Sequence, residues 1–225
     1  MTSFRDPIHL LGARPAEPVP DDRGEPLTLQ TDRGDFPILY HPVAGGQEAV
    51  IWLSGFAGGY NGPANNIFKR LGEELVQKGV ASIRSHYRSP GQLEDCVRDT
   101  FADILFLRAN GYRRIALVGH SFGGAVVISV APYAQDVVAA VTLSSQTFGA
   151  TGAGKVAPRP MLIVHGTADT RLPSYCSEQI YLWAKKPKEL VLYEGATHGL
   201  GQCAEELHAL LSTWLPEKLK VNPNG

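Results

Sequence analysis

An aliphatic run, Ile115–Val118, stops abruptly at Gly119-His120-Ser121-Phe122-Gly123-Gly124 and is followed at once by Ala125–Val130, which is apolar on every side. A helix without a polar face must be sunk against other elements. A buried strand that passes into such a helix within so few residues leaves room only for a sharp turn. Glycines on both sides of Ser121 remove the side chains that would collide in that bend. This one stretch therefore predicts a layered α/β core, with a serine hydroxyl lifted out at the end of a strand.

The rest of the chain repeats the alternation. Leu27–Gln30 and Phe36–Tyr40 read as an early hairpin, Ala49–Leu53 and Val80–Arg84 as strands, Val137–Leu143 and Met161–Val164 as further buried strands, and Leu190–Tyr193 as the last strand. Between them Ile67, Leu71 and Leu75 mark one helix face, and Leu93, Val97, Phe101, Ile104 and Leu105 another. Gly79 and Gly111 suit the helix ends. Ile180 and Trp183 belong to a helix entered near Pro173, and Leu207, Leu210, Leu211 and Trp214 to a last one. Strands alternating with helices predict a mostly parallel sheet covered on both faces. In such sheets the chemistry gathers at the carboxyl ends of the strands. Residues 1–24, with their prolines and charges, read as an irregular arm, residues 25–215 as one domain, and 216–225 as a tail.

Composition narrows the class. A chain of 225 residues with 44% hydrophobic and 19% charged residues suits a single folded domain. A formal net charge of −1 and the absence of charge blocks argue against nucleic acid or an anionic membrane as partner. No apolar run approaches the roughly 18 residues of a membrane helix. Cys96, Cys176 and Cys203 lack the spacing of a disulfide framework or a zinc site. A reducing, cytoplasmic setting is the expectation, with no metal or cofactor; oligomeric state is not legible.

Gly119-x-Ser121-x-Gly123 between a strand and a helix fits a serine nucleophile, although 24 glycines also allow the pattern by chance. GHSFGG in this context resembles the nucleophile elbow of the α/β-hydrolase superfamily. The resemblance spans about Glu25 to Leu215. It implies an α/β-hydrolase fold with a central sheet of about eight strands, and reactive residues in the order serine, acid, histidine.

That order is met twice downstream. After Met161–Val164 comes His165-Gly-Thr-Ala-Asp169, where Asp169 stands in the position of the family's acid; the alternative is a turn aspartate that caps the next helix. After Leu190–Tyr193 comes Glu194-Gly-Ala-Thr-His198-Gly199, where His198 stands in the position of the base; the alternative is a surface histidine. Asp136, the rival acid, precedes a strand instead of following one. His120 and His86 border the expected site, with Tyr87 beside them, and are candidates for substrate contact. His165 is expected to support the acid loop.

Within the resemblance, the loop after Ala49–Leu53 supplies one amide of an oxyanion hole, here Phe56, and the residue after the serine supplies the other, Phe122. Ser54 stands where the family commonly has histidine. Only Ser144 to Arg159 separate two strands where larger relatives insert a cap, so no large cap domain is expected. Small dienelactone-hydrolase-like and carboxylesterase-like members have this open form, but the former carry a cysteine where this chain has Ser121. The implied activity is hydrolysis of a small-molecule ester with a short to medium acyl group. Thioesters and amides are alternatives on the same residues. A non-catalytic ligand receptor or scaffold is the alternative of another class.

Overall fold

The computed structural model describes residues 7–220. Nine strands form one sheet in the order β1-β2-β3-β5-β4-β6-β7-β8-β9. They are β1 (Leu10–Pro15), β2 (Glu25–Thr31), β3 (Phe36–His41), β4 (Glu48–Leu53), β5 (Val80–Ser85), β6 (Arg114–His120), β7 (Val137–Leu143), β8 (Met161–Gly166) and β9 (Lys188–Tyr193). The first three and the β3–β5 pair are antiparallel, and β4 through β9 run parallel to one another. The α/β-hydrolase fold is thus present, with nine strands where about eight were expected.

Side chains alternate across a strand, and β4 shows how this builds two cores. Val50 and Trp52 face one layer with Ile67, Phe68 and Leu71 of α1 (Pro63–Leu75) and Leu207, Leu211 and Trp214 of α5 (Ala204–Leu219). Ile51 and Leu53 face the other, with Val97 and Ala102 of α2 (Leu93–Ala109), Val126 and Val127 of α3 (Phe122–Val130) and Ile180 of α4 (Tyr175–Trp183). Every strand from β4 to β8 is buried along almost its whole length, which explains its continuous apolar run. Burying one Leu or Ile side chain contributes roughly 1.5–3 kcal/mol, so each layer is held by many such residues.

Two expectations at the ends change. Part of the supposed irregular arm is β1, whose Leu10 and Ala13 pair with Thr31 and Leu29 of β2. At the other end α5 continues through Pro216 to Leu219, because Leu215 and Leu219 are both buried beneath it. Residues 1–6 of the expected arm and 221–225 of the expected tail lie outside the described residues. Among the described residues no helix is long and apolar enough to cross a membrane, and no large cap domain interrupts the sheet.

The strand order fixes where a site belongs. From β4 the chain moves outward to β5 on one side, then returns to place β6 on the other side of β4. The connections leaving β4 and β6 therefore depart in opposite directions and open a crevice at their carboxyl ends, where open α/β sheets hold their ligands.

Candidate active site

Ser121 sits at that crevice, between the end of β6 and the start of α3, with φ 56° and ψ −117°. An L-residue rarely holds a positive φ, and it persists only where the surroundings enforce it. Here the Ser121 amide donates to Leu143 O at 2.8 Å, and Ser121 O accepts from the Gly124 amide at 3.1 Å. The glycines make the bend possible. A Cβ on Gly119 would run into the Gly123 carbonyl, and one on Gly123 into the carbonyls of Leu53 and Ser54. The elbow is thereby pressed directly onto the end of β4.

The loops after β8 and β9 bring two more residues to the same rim. His198 Nε2 lies 3.1 Å from Ser121 Oγ, and His198 Nδ1 lies 2.7 Å from Asp169 Oδ2. The Asp169 side chain is fully buried, and its Oδ1 accepts the amides of Arg171 and Leu172 at 2.8 and 2.9 Å. Burial works to raise its pKa, but the Leu172 amide, the His198 bond and the Arg171 amide outweigh it and hold the carboxyl below its ordinary value. The arrangement is a hydroxyl, an imidazole and a carboxylate in one hydrogen-bonded line. Such a line is able to draw a proton off the hydroxyl and to stabilise the imidazolium that results.

The loop after β4 completes the rim. Gly55 abuts the serine: a Cβ built on it would lie 3.5 Å from Ser121 Cβ. Phe56 follows, with its ring edge-on to Phe122 at 6.3 Å and most of its surface exposed. The Phe122 amide is the first in α3, and a helix supplies its first amides with no internal acceptor. The Phe122 amide thus follows Ser121 directly, and the Phe56 amide follows the glycine that abuts Ser121 Cβ.

The other candidates are placed unevenly. His120 packs against His198, ring centroids 4.9 Å apart, with its Nε2 3.0 Å from His198 O. Burial pushes its pKa down to about 4, so it holds the His198 loop as a neutral ring. His86 lies against Tyr60, ring centroids 5.6 Å apart and tilted, beside the Gly58 turn. Tyr87 is buried, edge-on to Phe122, with its hydroxyl 3.4 Å from Ser54 O, so it underlies the β4 loop and presents little to a ligand. Asp136 precedes β7, its carbonyl accepts the Ile115 amide at the start of β6, at the other end of that strand from Ser121, and its carboxylate pairs with Arg108 at 3.8 Å. Among the described residues no group of three or more His, Cys, Asp or Glu is arranged to hold a metal ion.

Two supports were not legible in the sequence. Arg84, fully buried on β5, binds the Asp22 carboxylate, His41 Nε2 at 3.2 Å and Asn61 Oδ1 at 3.5 Å. It ties the segment before β2 to the loop that leads from Gly59 into α1. The entry to α1 is itself unusual. Ala64, Asn65 and Asn66 hold φ of 49°, 55° and 63°, three left-handed residues in succession. Asparagine in such a run is the only hint the sequence offers.

Residues 50–223 match the sequence profile described as "Alpha/beta hydrolase family". The chain belongs to the alpha/beta hydrolase family. Among solved structures it is similar to Est1E from Butyrivibrio proteoclasticus, with TM-score 0.75 and 18% identity over 87% of this chain and 98% of that one. It is also similar to a dienelactone hydrolase from Anabaena variabilis, with TM-score 0.76 and 16% identity over 88% of this chain and 99% of that one. An alpha-beta serine hydrolase homologue from Coxiella burnetii has TM-score 0.70 and 22% identity over 89% of this chain and 100% of that one. At such identities the likeness is one of fold. A curated relative, "Uncharacterized protein YfhR" of Escherichia coli (strain K12), is 32% identical over 38% of this chain and 38% of that protein. The match to the curated relatives thus spans well under half of their length. Family membership supports a hydrolase.

Proposed function

We propose that this hydrolase cleaves a carboxylic ester of a small molecule by a two-step acyl transfer, with Ser121 as nucleophile, His198 as general base and Asp169 as its orienting acid. The observation that carries the reading is the continuous line from Ser121 Oγ to His198 Nε2 at 3.1 Å and from His198 Nδ1 to Asp169 Oδ2 at 2.7 Å. Imidazole at that distance takes the hydroxyl proton as the oxygen attacks the ester carbon. The tetrahedral oxyanion is held by the amides of Phe56 and Phe122, each donor worth about 3 kcal/mol in the transition state. The imidazolium then protonates the departing alcohol. Water, deprotonated by the same ring, attacks the acyl-enzyme and restores the serine hydroxyl.

The names of neighbours support an ester as the first substrate class: one is an esterase domain from a Rhodothermus marinus protein, another a dienelactone hydrolase. The uncapped rim fits small to medium acyl groups. Three free cysteines, all buried, fit a reducing compartment, and a cytoplasmic location is part of this reading.

Hydrolysis of nitrophenyl esters of rising acyl length, with Ser121→Ala as control, tests it. The reading expects turnover that peaks at short to medium chains and disappears in the variant. Turnover confined to thioesters or amides would move the substrate class, and ester turnover undiminished in Ser121→Ala would remove the nucleophile.

A further inference from the structure

Asp169 receives more than the ring of His198. Its Oδ2 lies 2.7 Å from His198 Nδ1 and 3.0 Å from His165 Nε2, so two imidazoles converge on one carboxylate oxygen. His165 closes β8 and is fully buried. Its Nε2 also lies 2.8 Å from Leu172 O, and its Nδ1 lies 2.7 Å from Ser177 Oγ on α4. A carboxylate and a carbonyl both accept only, so the Nε2 they share must carry the proton. Nδ1 then accepts the Ser177 hydroxyl proton. The tautomer is assigned from these partners.

We propose that His165, fixed by Ser177, is a positioning residue for the proton line: it shares the acid with His198 and thereby sets both the aim and the basicity of that imidazole. The inference rests on the roles given above to Ser121, His198 and Asp169. Its physics is simple. A carboxylate that already accepts an N–H at Oδ2 pulls less strongly on the second ring there, because part of its charge is engaged. The same bond, with the two amides on Oδ1, leaves the carboxylate plane no freedom to turn away from His198. Ser177 sits on α4 and Leu172 in the preceding loop, so the acid is braced by the helix layer and not by its own loop alone. The titratable groups that face this cluster are His120, from the end of β6, and Cys176, from α4. His120 is neutral near pH 7, and burial raises the Cys176 thiol, so neither supplies a competing charge.

The test compares wild type with His165→Phe, His165→Gln and Ser177→Ala. Ester turnover is measured across pH, and the imidazole titration of His198 is followed by NMR, assigned with His198→Ala. His165→Phe should lower kcat about tenfold with KM within about twofold, as expected when a reacting group loses its aim. It should also move the His198 titration and the acid limb of the rate profile to higher pH. His165→Gln, whose amide N–H reaches toward the same carboxylate, should restore both, and Ser177→Ala, the milder change to the core, should fall between. A His198 titration unchanged in both His165→Phe and Ser177→Ala, or a loss that glutamine does not rescue, overturns the proposal. A wild type that turns over no ester sinks the hydrolase reading instead, and the NMR titration then decides the coupling by itself.

Discussion

The amide of Ala64 donates to the carbonyl of Gly199 at 2.7 Å, so the left-handed entry of α1 is fastened to the residue that follows His198. The bond crosses from the loop after β4 to the loop after β9. It restrains the backbone that carries the imidazole at the residue next to His198.

Asn66, exposed and at φ 63°, tests that restraint without altering any packing. A β-branched residue resists this conformation far more than asparagine does. Asn66→Val should destabilise the fold by about 1–2 kcal/mol and lower kcat more than KM, because the His198 loop loses its anchor. Chemical denaturation and steady-state kinetics measure the two effects.

Ser121 stores strain of the same kind at φ 56°. Glycine adopts that backbone freely, so Ser121→Gly should abolish turnover while gaining about 1 kcal/mol of stability. Loss of both activity and stability in this variant would mean that the hydroxyl, and not the turn, is what the fold requires.

Asp22 and Arg84 form an ion pair whose side chains are 4% and 0% exposed. Removing one partner leaves a buried charge alone, at a cost of about 3–5 kcal/mol. Asp22→Ala should therefore fall well below wild type in urea midpoint. A change under 1 kcal/mol would show that Arg84 is satisfied by His41 and Asn61 without it.

His41 accepts from Arg84 Nε at 3.2 Å, and burial, followed by the Arg84 charge, pushes its pKa down to about 4 from 6.5. The folded state thus binds its proton later than the unfolded chain. Stability from this source is full above pH 6.5, declines as pH falls, and is lost through about pH 4, amounting at most to about 3 kcal/mol. His120, lowered to about 4 by burial, acts in the same window. His41→Gln should flatten the pH dependence of the urea midpoint between pH 7 and 4.5 by the His41 share, leaving that of His120.

What the sequence carried plainly was local. The elbow is legible because Gly119, Ser121, Gly123 and Gly124 each answer a steric demand within a few residues, and Asp169 and His198 because each follows an apolar strand at a glycine-containing turn. β1 is hard to read because it lies at the sheet edge, is mostly exposed and contains Gly12 and Pro15, so it has little apolar alternation to show. The end of α5 is misread at Pro216 because burial of Leu215 and Leu219 outweighs the usual stop. Arg84, Ser177 and Ala64 act through partners 62, 12 and 135 residues away, at Asp22, His165 and Gly199. No periodicity or short motif records a contact of that kind.

An activated Ser121 hydroxyl reacts with a fluorophosphonate, and intact mass with peptide mapping reads the adduct. Wild type should gain a single adduct on the Ser121 peptide, His198→Ala should react at least about a hundredfold more slowly, and Ser121→Ala should gain none. An unmodified wild type, or an adduct that survives in Ser121→Ala, would rule Ser121 out as the nucleophile.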